Sequence, residues 1–371
     1  MSLHAETMIR QIVSEAQNLS KYDIGETIEG VANRTGRKLS EILKLNANEN
    51  FFVPLIFLKD LLKEVVDEAD LRLYPGEETT DLRESLGRYL RVLPEQVMIG
   101  NGSDQLIDLI SHAILRPGDD VLSFTPTFSM YKRCVEVQGA TYGAIPLGED
   151  FSLNVEKLLA SVKPKTKLLF LCSPNNPTAN QFDLGTIRHV AENFEGLVVV
   201  DEAYADFSEE TAVSLLEELG NILIIRTFSK AFGVAGLRLG YAVADRDLSS
   251  AISERFQLPY SVSTIALRFA LEILERIEVI NTAMKELKAE RTRLIGKLNE
   301  MDGIHAFDSV TNFVLFKAGR SSDDLHKALL ERGVIVKNLG RVLDFTNCMR
   351  VTVAPSPLSE RFLQALREVM G

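Results

Sequence analysis

The sequence has few of the residues that mark disulfide frameworks or metal sites. Its 371 residues include three cysteines, five histidines and no tryptophan. The cysteines, Cys134, Cys172 and Cys348, are odd in number and far apart, and no histidines stand at metal-binding intervals. We therefore expect neither a disulfide framework nor a structural zinc site, as is typical of a protein from a reducing compartment.

Positive charge and long apolar runs are also scarce. Lys and Arg number 41 against 52 Asp and Glu, and the net charge is -11. This balance argues against a nucleic-acid-binding protein, which would present a basic face, and no basic amphipathic helix suggests a membrane surface. Apolar stretches such as Leu197–Val200 are far too short to span a bilayer, and no secretory signal is visible. We expect a cytoplasmic protein without nucleic-acid or membrane partners.

Short apolar runs alternate with helical patterns between about Leu93 and Ala244. The runs are QVMIG, DVLSF, KLLFLC, GLVVVD, NILIIRT and LRLGYAVA. Several are apolar at every position, which is typical of strands covered by helices on both faces. The alternation predicts an α/β fold, with a large domain over residues 51–262 whose mainly parallel sheet is sandwiched by helices. Ligands bind beyond the carboxyl ends of strands in such sheets, so we expect the chemistry there.

The pattern changes after about Ser263. One long helical stretch from Ala266 to Met301 is followed by short apolar runs and two further helical patterns. This α+β pattern predicts a second, smaller domain over residues 263–371. Residues 1–50 lack a strong period before KLNANEN, and we expect them to form an N-terminal arm and part of the smaller domain.

Small and polar residues follow three of the predicted strands. After Gly100, NGSD would open a helix whose exposed N–H groups form a phosphate site with Ser103 as the N-cap, although an ordinary Asn-Gly turn is the alternative. A dinucleotide fingerprint is not favoured, because Gln105 stands where its third glycine would be. KLLFLC ends in the rigid polar turn SPNNPT, and GLVVV ends at Asp201, which is either a helix cap or the partner of a cation.

The run NILIIRTFSK ends in a lysine, Lys230, and small residues separate it from Arg238. An isolated lysine at such a place is usually a solvated loop end. Together with Asp201 and the phosphate site, however, it suits pyridoxal 5'-phosphate (PLP). The lysine amine would form a Schiff base, the aspartate would keep the pyridine nitrogen protonated, and Arg238 with the helix N-terminus would neutralise the phosphate.

Six motifs in family order resemble the fold-type I PLP-dependent aminotransferases, and among them the histidinol-phosphate aminotransferase family. They are LKLNANEN, LYPGEETTDLRESL, PTFSMY, SPNNPTAN, VVVDEAYADF and TFSKAFGVAGLRLG, and the resemblance runs from about Asn18 to the C-terminus. It implies a homodimer that transfers the amino group of L-histidinol phosphate to 2-oxoglutarate in histidine biosynthesis. Aromatic amino acid transamination and threonine-phosphate decarboxylation stay open, because specificity depends on a few pocket contacts.

The resemblance implies a role for each matching position. Lys230 resembles the Schiff-base lysine that also moves the proton, and Asp201 resembles the partner of the pyridinium. Asn176 and Tyr204 resemble the pair that binds the cofactor's O3', and Phe128 resembles the aromatic residue that stacks on the ring. The other cofactor-binding positions it implies are Gly102, Ser103, Asp104, Thr227, Ser229, Arg238 and, from the partner subunit, Tyr74. The substrate-binding positions it implies are Tyr22, Asn46, Lys337 and Arg350.

Two positions depart from the family pattern. By its spacing from Arg350, Lys337 stands where the family has an arginine, and lysine holds a phosphate as a point charge without the arginine fork. Arg341 is the alternative cation. Ala179 stands where a glycine usually follows NPT, and we expect it to alter only the turn. Without the resemblance, Arg350 would be interpreted as a surface charge on an edge strand.

Overall fold

The structure is a computed structural model that describes residues 3–371. Its strands are β1 Leu43–Lys44, β2 Val97–Gly100, β3 Asp120–Thr125, β4 Thr141–Pro146, β5 Thr166–Cys172, β6 Leu197–Asp201, β7 Ile222–Thr227, β8 Gly240–Val243, β9 Ile304–Ala306, β10 Phe313–Ala318, β11 Val334–Ile335, β12 Lys337–Val342 and β13 Phe345–Thr352. Its helices are α1 Leu3–Gln17, α2 Ile28–Thr35, α3 Leu55–Glu68, α4 Glu78–Leu90, α5 Ser103–Ile114, α6 Met130–Val137, α7 Val155–Ala160, α8 Leu184–Glu192, α9 Arg246–Arg255, α10 Thr264–Glu275, α11 Ile277–Asn299, α12 Ser322–Glu331 and α13 Ser356–Met370.

A seven-stranded, mainly parallel sheet forms the centre of the molecule, with the strand order β2-β8-β7-β6-β5-β3-β4. Only β8 runs antiparallel to its neighbours, β2 and β7. Adjacent residues of β2 contact different cores: Ile99 packs in one hydrophobic cluster with Tyr241, while Met98 packs in another with Ala242. Both faces of the sheet are therefore covered, and the predicted α/β fold with a mainly parallel sheet is confirmed.

The edge strand β4 was not predicted. Its residues are mostly exposed or half-buried, so TYGAIP contains no continuous apolar run. The other edge strand, β2, is buried at all four positions, and its apolar run QVMIG was detected. The apolar-run criterion therefore detects the buried strands and misses the exposed edge strand β4.

A smaller antiparallel sheet with the order β12-β13-β10-β9 is formed by the C-terminal part of the chain. The short strand β1 pairs with β11 in parallel, with Leu43 opposite Val334. The N-terminal segment thus adjoins the C-terminal part, as expected for an arm that shares the smaller domain. The boundaries at residues 50 and 262 stay a prediction.

One expectation about helices was wrong. The predicted single helix from Ala266 to Met301 is divided at Arg276 into α10 and α11, because α10 packs on α3 and α4 while α11 packs on β9, β10 and α13. The N-terminal segment, whose sequence lacks a strong period, contains α1, and the apolar residues Met8, Ile9 and Ile12 of this helix are exposed. Among residues 3–371, no helix is long and apolar enough to cross a bilayer.

Candidate active site

A cavity of about 620 Å³ lies beyond the carboxyl ends of β5, β6 and β7, where β12 and β13 of the smaller sheet approach. Its lining gathers almost all of the positions that the sequence assigned to cofactor and substrate. These are Tyr22, Asn46, Ser103, Asp104, Phe128, Asn176, Asp201, Tyr204, Thr227, Ser229, Lys230, Arg238, Lys337 and Arg350. Gly102 lies next to this lining, and Tyr74 lies outside it.

The amine of Lys230 lies in this cavity, and the residue is half-buried. Its Nζ donates a hydrogen bond of 2.9 Å to the carbonyl oxygen of Ala47 and lies 5.7 Å from the ring centroid of Tyr204. Burial, the largest effect, and the nearby positive charge of Arg350 together lower the pKa of Lys230 to about 8. A large fraction of the amine is therefore neutral near pH 8, which is the form that attacks a carbonyl.

Asp201 ends β6 as a buried carboxylate. Its Oδ2 accepts a hydrogen bond of 2.6 Å from the Tyr131 hydroxyl, and its Oδ1 accepts one of 3.0 Å from the N–H of Ala203. Burial raises the pKa of Asp201 to about 6, and no ion pair within the described range 3–371 compensates its charge. A buried carboxylate without a cation is costly. The site thus fits a ligand that brings a cationic group, as a protonated pyridine nitrogen does.

The start of α5 forms a concave backbone surface. Gly102 is the N-cap, with a φ of 86°, and Ser103 is the first helical residue, so the predicted N-cap role of Ser103 was wrong. A residue with a Cβ would be strained at that positive φ. Gly240 of β8 approaches the same turn so closely that a Cβ on it would lie 2.6 Å from the Ser103 nitrogen. Free N–H groups at this helix N-terminus fit a phosphate.

Arg238 adds a cation beside this helix start. It donates a hydrogen bond of 3.0 Å to Asp104 and one of 3.4 Å to the Ser229 hydroxyl. The Ser229 N–H in turn donates to the Thr227 hydroxyl at 3.0 Å. Hydroxyls, backbone N–H groups and a guanidinium therefore lie together beside the start of α5, and this donor set matches phosphate oxygens.

Arg350 is buried on β13 on the opposite side of the cavity. It donates to the side-chain oxygen of Asn176 and, at 2.9 Å, to the carbonyl oxygen of Asn46. Its Nε is buried without a partner among the described residues. β13 lies between β10 and β12, so the alternative interpretation of Arg350 as an edge-strand surface charge is wrong. Desolvation, the largest effect, lowers the pKa of Arg350 below its ordinary value.

Aromatic side chains form a further wall of the cavity. The ring of Phe128 contacts Tyr22 edge-to-face at 6.4 Å and Tyr131 at 5.7 Å between centroids. Tyr22 belongs to the N-terminal segment, so this segment covers part of the cavity. The hydroxyl of Tyr204 accepts a hydrogen bond of 2.9 Å from the amide of Asn48.

Lys337, at the start of β12, forms an ion pair with Asp23 of the N-terminal segment. The hydrogen bond from Lys337 lowers the pKa of Asp23 below its ordinary value. Arg341, the alternative cation, also lines the cavity, but its guanidinium bonds to Asp344 and to the carbonyl oxygen of Leu343. Of the two, Lys337 is the less exposed cation.

Tyr74 is not brought to this cavity. It is 77% exposed and stacks on Tyr260 with centroids 4.6 Å apart, beside a separate cavity of about 770 Å³. Its assigned role in a partner subunit's site stays a proposal.

Sequence reasoning missed two residues that contact the assigned ones, Tyr131 and Asn48. Tyr131 stands in PTFSMY, three positions after Phe128, and Asn48 stands in LNANEN, two positions after Asn46. Both were visible as polar residues inside motifs. Their partners are remote in the chain, so no local pattern indicates which groups they bind.

Comparison with known proteins agrees with this geometry. The model of the family "Aminotransferase class I and II" matches residues 40–366. The histidinol-phosphate aminotransferase of Caldanaerobacter subterraneus subsp. tengcongensis is 37% identical over 348 residues, which cover 93% of this chain and 98% of that protein. That of Ruminiclostridium cellulolyticum is 37% identical over 329 residues, which cover 87% and 91%.

Solved structures share the fold over nearly the whole chain. The histidinol-phosphate aminotransferase from Sinorhizobium meliloti, in complex with pyridoxal-5'-phosphate, superposes with a TM-score of 0.85 at 25% identity, covering 96% of both chains. The L-threonine-O-3-phosphate decarboxylase from Porphyromonas gingivalis shares the fold alone, with a TM-score of 0.75 at 21% identity over 88% of this chain and 99% of that one. The predicted resemblance is confirmed: this chain belongs to the aminotransferase class I and II family.

Proposed function

We propose that the protein is a PLP-dependent aminotransferase that converts L-histidinol phosphate and 2-oxoglutarate to imidazole acetol phosphate and L-glutamate in histidine biosynthesis. The observation that carries this proposal is one cavity that holds the amine of Lys230, the uncompensated carboxylate of Asp201 and the donor set around Arg238. Relatives named histidinol-phosphate aminotransferase, at 34% and 37% identity, favour this substrate over aromatic amino acids or threonine phosphate.

The residues of the cavity fit PLP group by group. Lys230 would bind the aldehyde carbon, Asp201 would hold the proton of the ring nitrogen, and Phe128 would contact the ring face. Asn176 and Tyr204 would bind the phenolic oxygen. The phosphate would lie against the residues of the donor set, Gly102, Ser103, Asp104, Thr227, Ser229 and Arg238. When bound, PLP supplies an electron sink that makes the substrate's α-proton removable.

Lys230 and Asp201 carry out the proton chemistry. The neutral Nζ of Lys230 would accept the α-proton of the substrate and return a proton, and a pKa near 8 suits a group that must do both near neutral pH. The Asp201 carboxylate would keep the ring nitrogen protonated, and Tyr131 holds that carboxylate in place.

Cations on the smaller sheet are proposed to bind the substrate. A phosphate monoester is an anion, and the buried Arg350 and the half-buried Lys337 bring positive charge to the wall of the cavity opposite the α5 start. Lys337 contributes a point charge where an arginine would contribute a fork. Tyr22 and Asn46 complete this side, with Tyr22 on the segment that covers the cavity.

We further propose a cytoplasmic homodimer. Leu71, Leu73 and Tyr74 are exposed, and Tyr74 stacks on Tyr260, which is also exposed. Exposed apolar groups that lie together are typical of an interface. In such a dimer Tyr74 would reach the phosphate site of the partner subunit. The three cysteines are buried and unpaired, in keeping with a reducing compartment.

The test is a single half-reaction. PLP-loaded protein without any oxo acid is mixed with L-histidinol phosphate, and the visible spectrum is recorded. We expect the yellow band to disappear and to return when 2-oxoglutarate is added, and we expect neither change in Lys230→Ala. A yellow band that persists with this amine and disappears with L-phenylalanine would favour aromatic transamination, while release of carbon dioxide from threonine phosphate would favour the lyase. A protein that stays colourless with PLP would contradict the proposal.

A further inference from the structure

A loop over residues 45–50 connects the smaller sheet to the catalytic groups. The carbonyl oxygen of Asn46 accepts from Arg350, and that of Ala47 accepts from Lys230. The backbone N–H of Asn48 donates to the Thr352 hydroxyl at 3.0 Å. The loop is therefore held to β13 on one side and to the lysine on the other, which places the Asn48 side chain between them.

The Asn48 side chain contacts Tyr204. Its Nδ2 donates a hydrogen bond of 2.9 Å to the hydroxyl oxygen of Tyr204, and the two residues are 2% and 4% exposed. A hydroxyl has one proton to donate and separate lone pairs to accept with. Because the oxygen accepts from Asn48, its proton points elsewhere, and within residues 3–371 this hydroxyl donates to no acceptor.

We propose that Asn48 is a positioning residue: by donating to the Tyr204 oxygen, it turns the Tyr204 O–H into the cavity, where it donates to the phenolic oxygen of the bound cofactor. This inference rests on the proposed function. Accepting one hydrogen bond also makes a hydroxyl a better donor. Burial raises the pKa of Tyr204, so the phenol stays protonated and able to donate.

The backbone at Asn48 decides which substitutions are informative. Its φ is 56°, in the left-handed region that glycine, asparagine and aspartate accept readily. Asn48→Gly removes the amide donor without adding strain at this φ, whereas alanine would be strained there. Asn48→Asp keeps the size of the side chain and loses the N–H.

The test is a double-mutant cycle read from the visible spectrum. The apparent pKa of the yellow chromophore is titrated in PLP-loaded wild type, Asn48→Gly, Tyr204→Phe and the double variant. A donor at the phenolic oxygen stabilises its anionic form and lowers this pKa. We therefore expect Asn48→Gly to raise the pKa by about 0.5 to 1 unit in the wild-type background and to leave it unchanged in the Tyr204→Phe background.

The outcomes separate this inference from the proposed function. No shift in Asn48→Gly, or the same shift in both backgrounds, overturns the inference and leaves the aminotransferase assignment standing. A wild type that forms no yellow chromophore overturns both. Thermal unfolding of the apo variants verifies that they fold. If Asn48→Gly does not fold, Asn48→Asp replaces it in the same cycle. The deciding quantity is then the difference between the chromophore pKa shifts that Asn48→Asp causes in the wild-type and Tyr204→Phe backgrounds.

Discussion

The Tyr131 hydroxyl and the Asp201 carboxylate form a hydrogen bond of 2.6 Å in the interior of the molecule. The ring of Tyr131 stacks on Phe170 with centroids 4.7 Å apart, which restricts where the hydroxyl can lie. Phe128 stands three positions earlier in the chain and lines the cavity. One short segment thus supplies both an aromatic wall and the donor that holds the carboxylate.

Tyr131→Phe removes this hydrogen bond and keeps the ring. Since the bond favours the ionised form of Asp201, its loss raises the Asp201 pKa above about 6. We expect kcat to fall by about 10- to 150-fold, because a hydrogen bond to a charged group contributes about 1.5–3 kcal/mol. Acidification weakens PLP binding by the apo protein once Asp201 is protonated, and we expect this weakening to begin at a higher pH in Tyr131→Phe than in the wild type. The dissociation constant of PLP, measured from about pH 5 to 8, is the check, and coincident profiles would contradict this role of Tyr131.

Asp201 makes the stability of the apo protein depend on pH. Its pKa is about 6 in the folded state against an ordinary value of 3.8, so the folded state binds the proton more tightly and this group destabilises the fold once it is ionised. The cost is present above about pH 6 and is relieved as the pH falls towards 4. Between about pH 8 and pH 5, we expect the free energy of unfolding of apo wild type to gain about 1–1.5 kcal/mol relative to Asp201→Asn.

Urea denaturation of both apo proteins at the two pH values measures this difference. The measurement at acidic pH is the control, because the wild-type Asp201 carboxyl is then protonated and is as uncharged as the asparagine of the variant. A difference between the proteins that does not change with pH would refute the raised pKa.

The pKa of Lys230 predicts how the rate at which the apo protein takes up PLP depends on pH. Only the neutral amine of Lys230 reacts, and its pKa is about 8. We expect the rate of chromophore formation to rise roughly tenfold per pH unit below that value and to level off above it. Arg350→Gln removes a positive charge that lowers the Lys230 pKa, so the midpoint should move to higher pH.

Stopped-flow absorbance on apo protein mixed with PLP gives these rates. Arg341→Gln removes an exposed cation of the same cavity and serves as the matched control. An Arg350→Gln midpoint equal to that of the control would show that Arg350 does not act on the lysine.

Because Asp23 forms an ion pair with Lys337, we expect its carboxylate to compete with the substrate phosphate for this lysine. In the absence of substrate, the Asp23 carboxylate occupies the cation that is proposed to bind the substrate phosphate. Asp23→Asn frees Lys337, and because exposed ion pairs contribute about 0.2–1 kcal/mol, we expect KM for L-histidinol phosphate to fall about 1.5- to 5-fold.

Steady-state kinetics with L-histidinol, which lacks the phosphate, supplies the control, since its KM should not change. A KM that rises for both amines would mean instead that the ion pair keeps the Tyr22 segment over the cavity. Lys337→Arg tests the same site by changing the cation instead of its acidic partner. We expect a lower KM for the phosphate substrate, because arginine can bind a phosphate with a bidentate fork.

Local patterns in the chain were sufficient to predict the fold class and the place of the chemistry. Strands that are apolar at every position predict a covered parallel sheet, and the carboxyl ends of parallel strands share one edge. Asp201 and Lys230, which stand at or just after the ends of neighbouring strands, were therefore expected to lie close together, and the structure places them in one cavity. The order of the six motifs predicted the family, which the comparisons confirm.

Some local details depended on the three-dimensional backbone. Gly102 and not Ser103 is the N-cap of α5, because the chain there needs a positive φ beside the closely packed Gly240. Likewise, the helical pattern continues through Arg276, yet the helix breaks there because its two halves pack on different surfaces. A period of apolar residues carries no information on either point.

The sequence by itself determined the kinds of groups that the active site contains, and only the tertiary structure decided how they pair. Tyr131 and Asp201 are 70 positions apart, Asn48 and Tyr204 are 156 apart, and Asp23 and Lys337 are 314 apart. Hydrogen bonds between residues so remote leave no periodic trace in the chain. The raised pKa of Asp201 and the lowered pKa of Lys230 follow from burial, which arises only when the two sheets and the N-terminal segment close around the cavity.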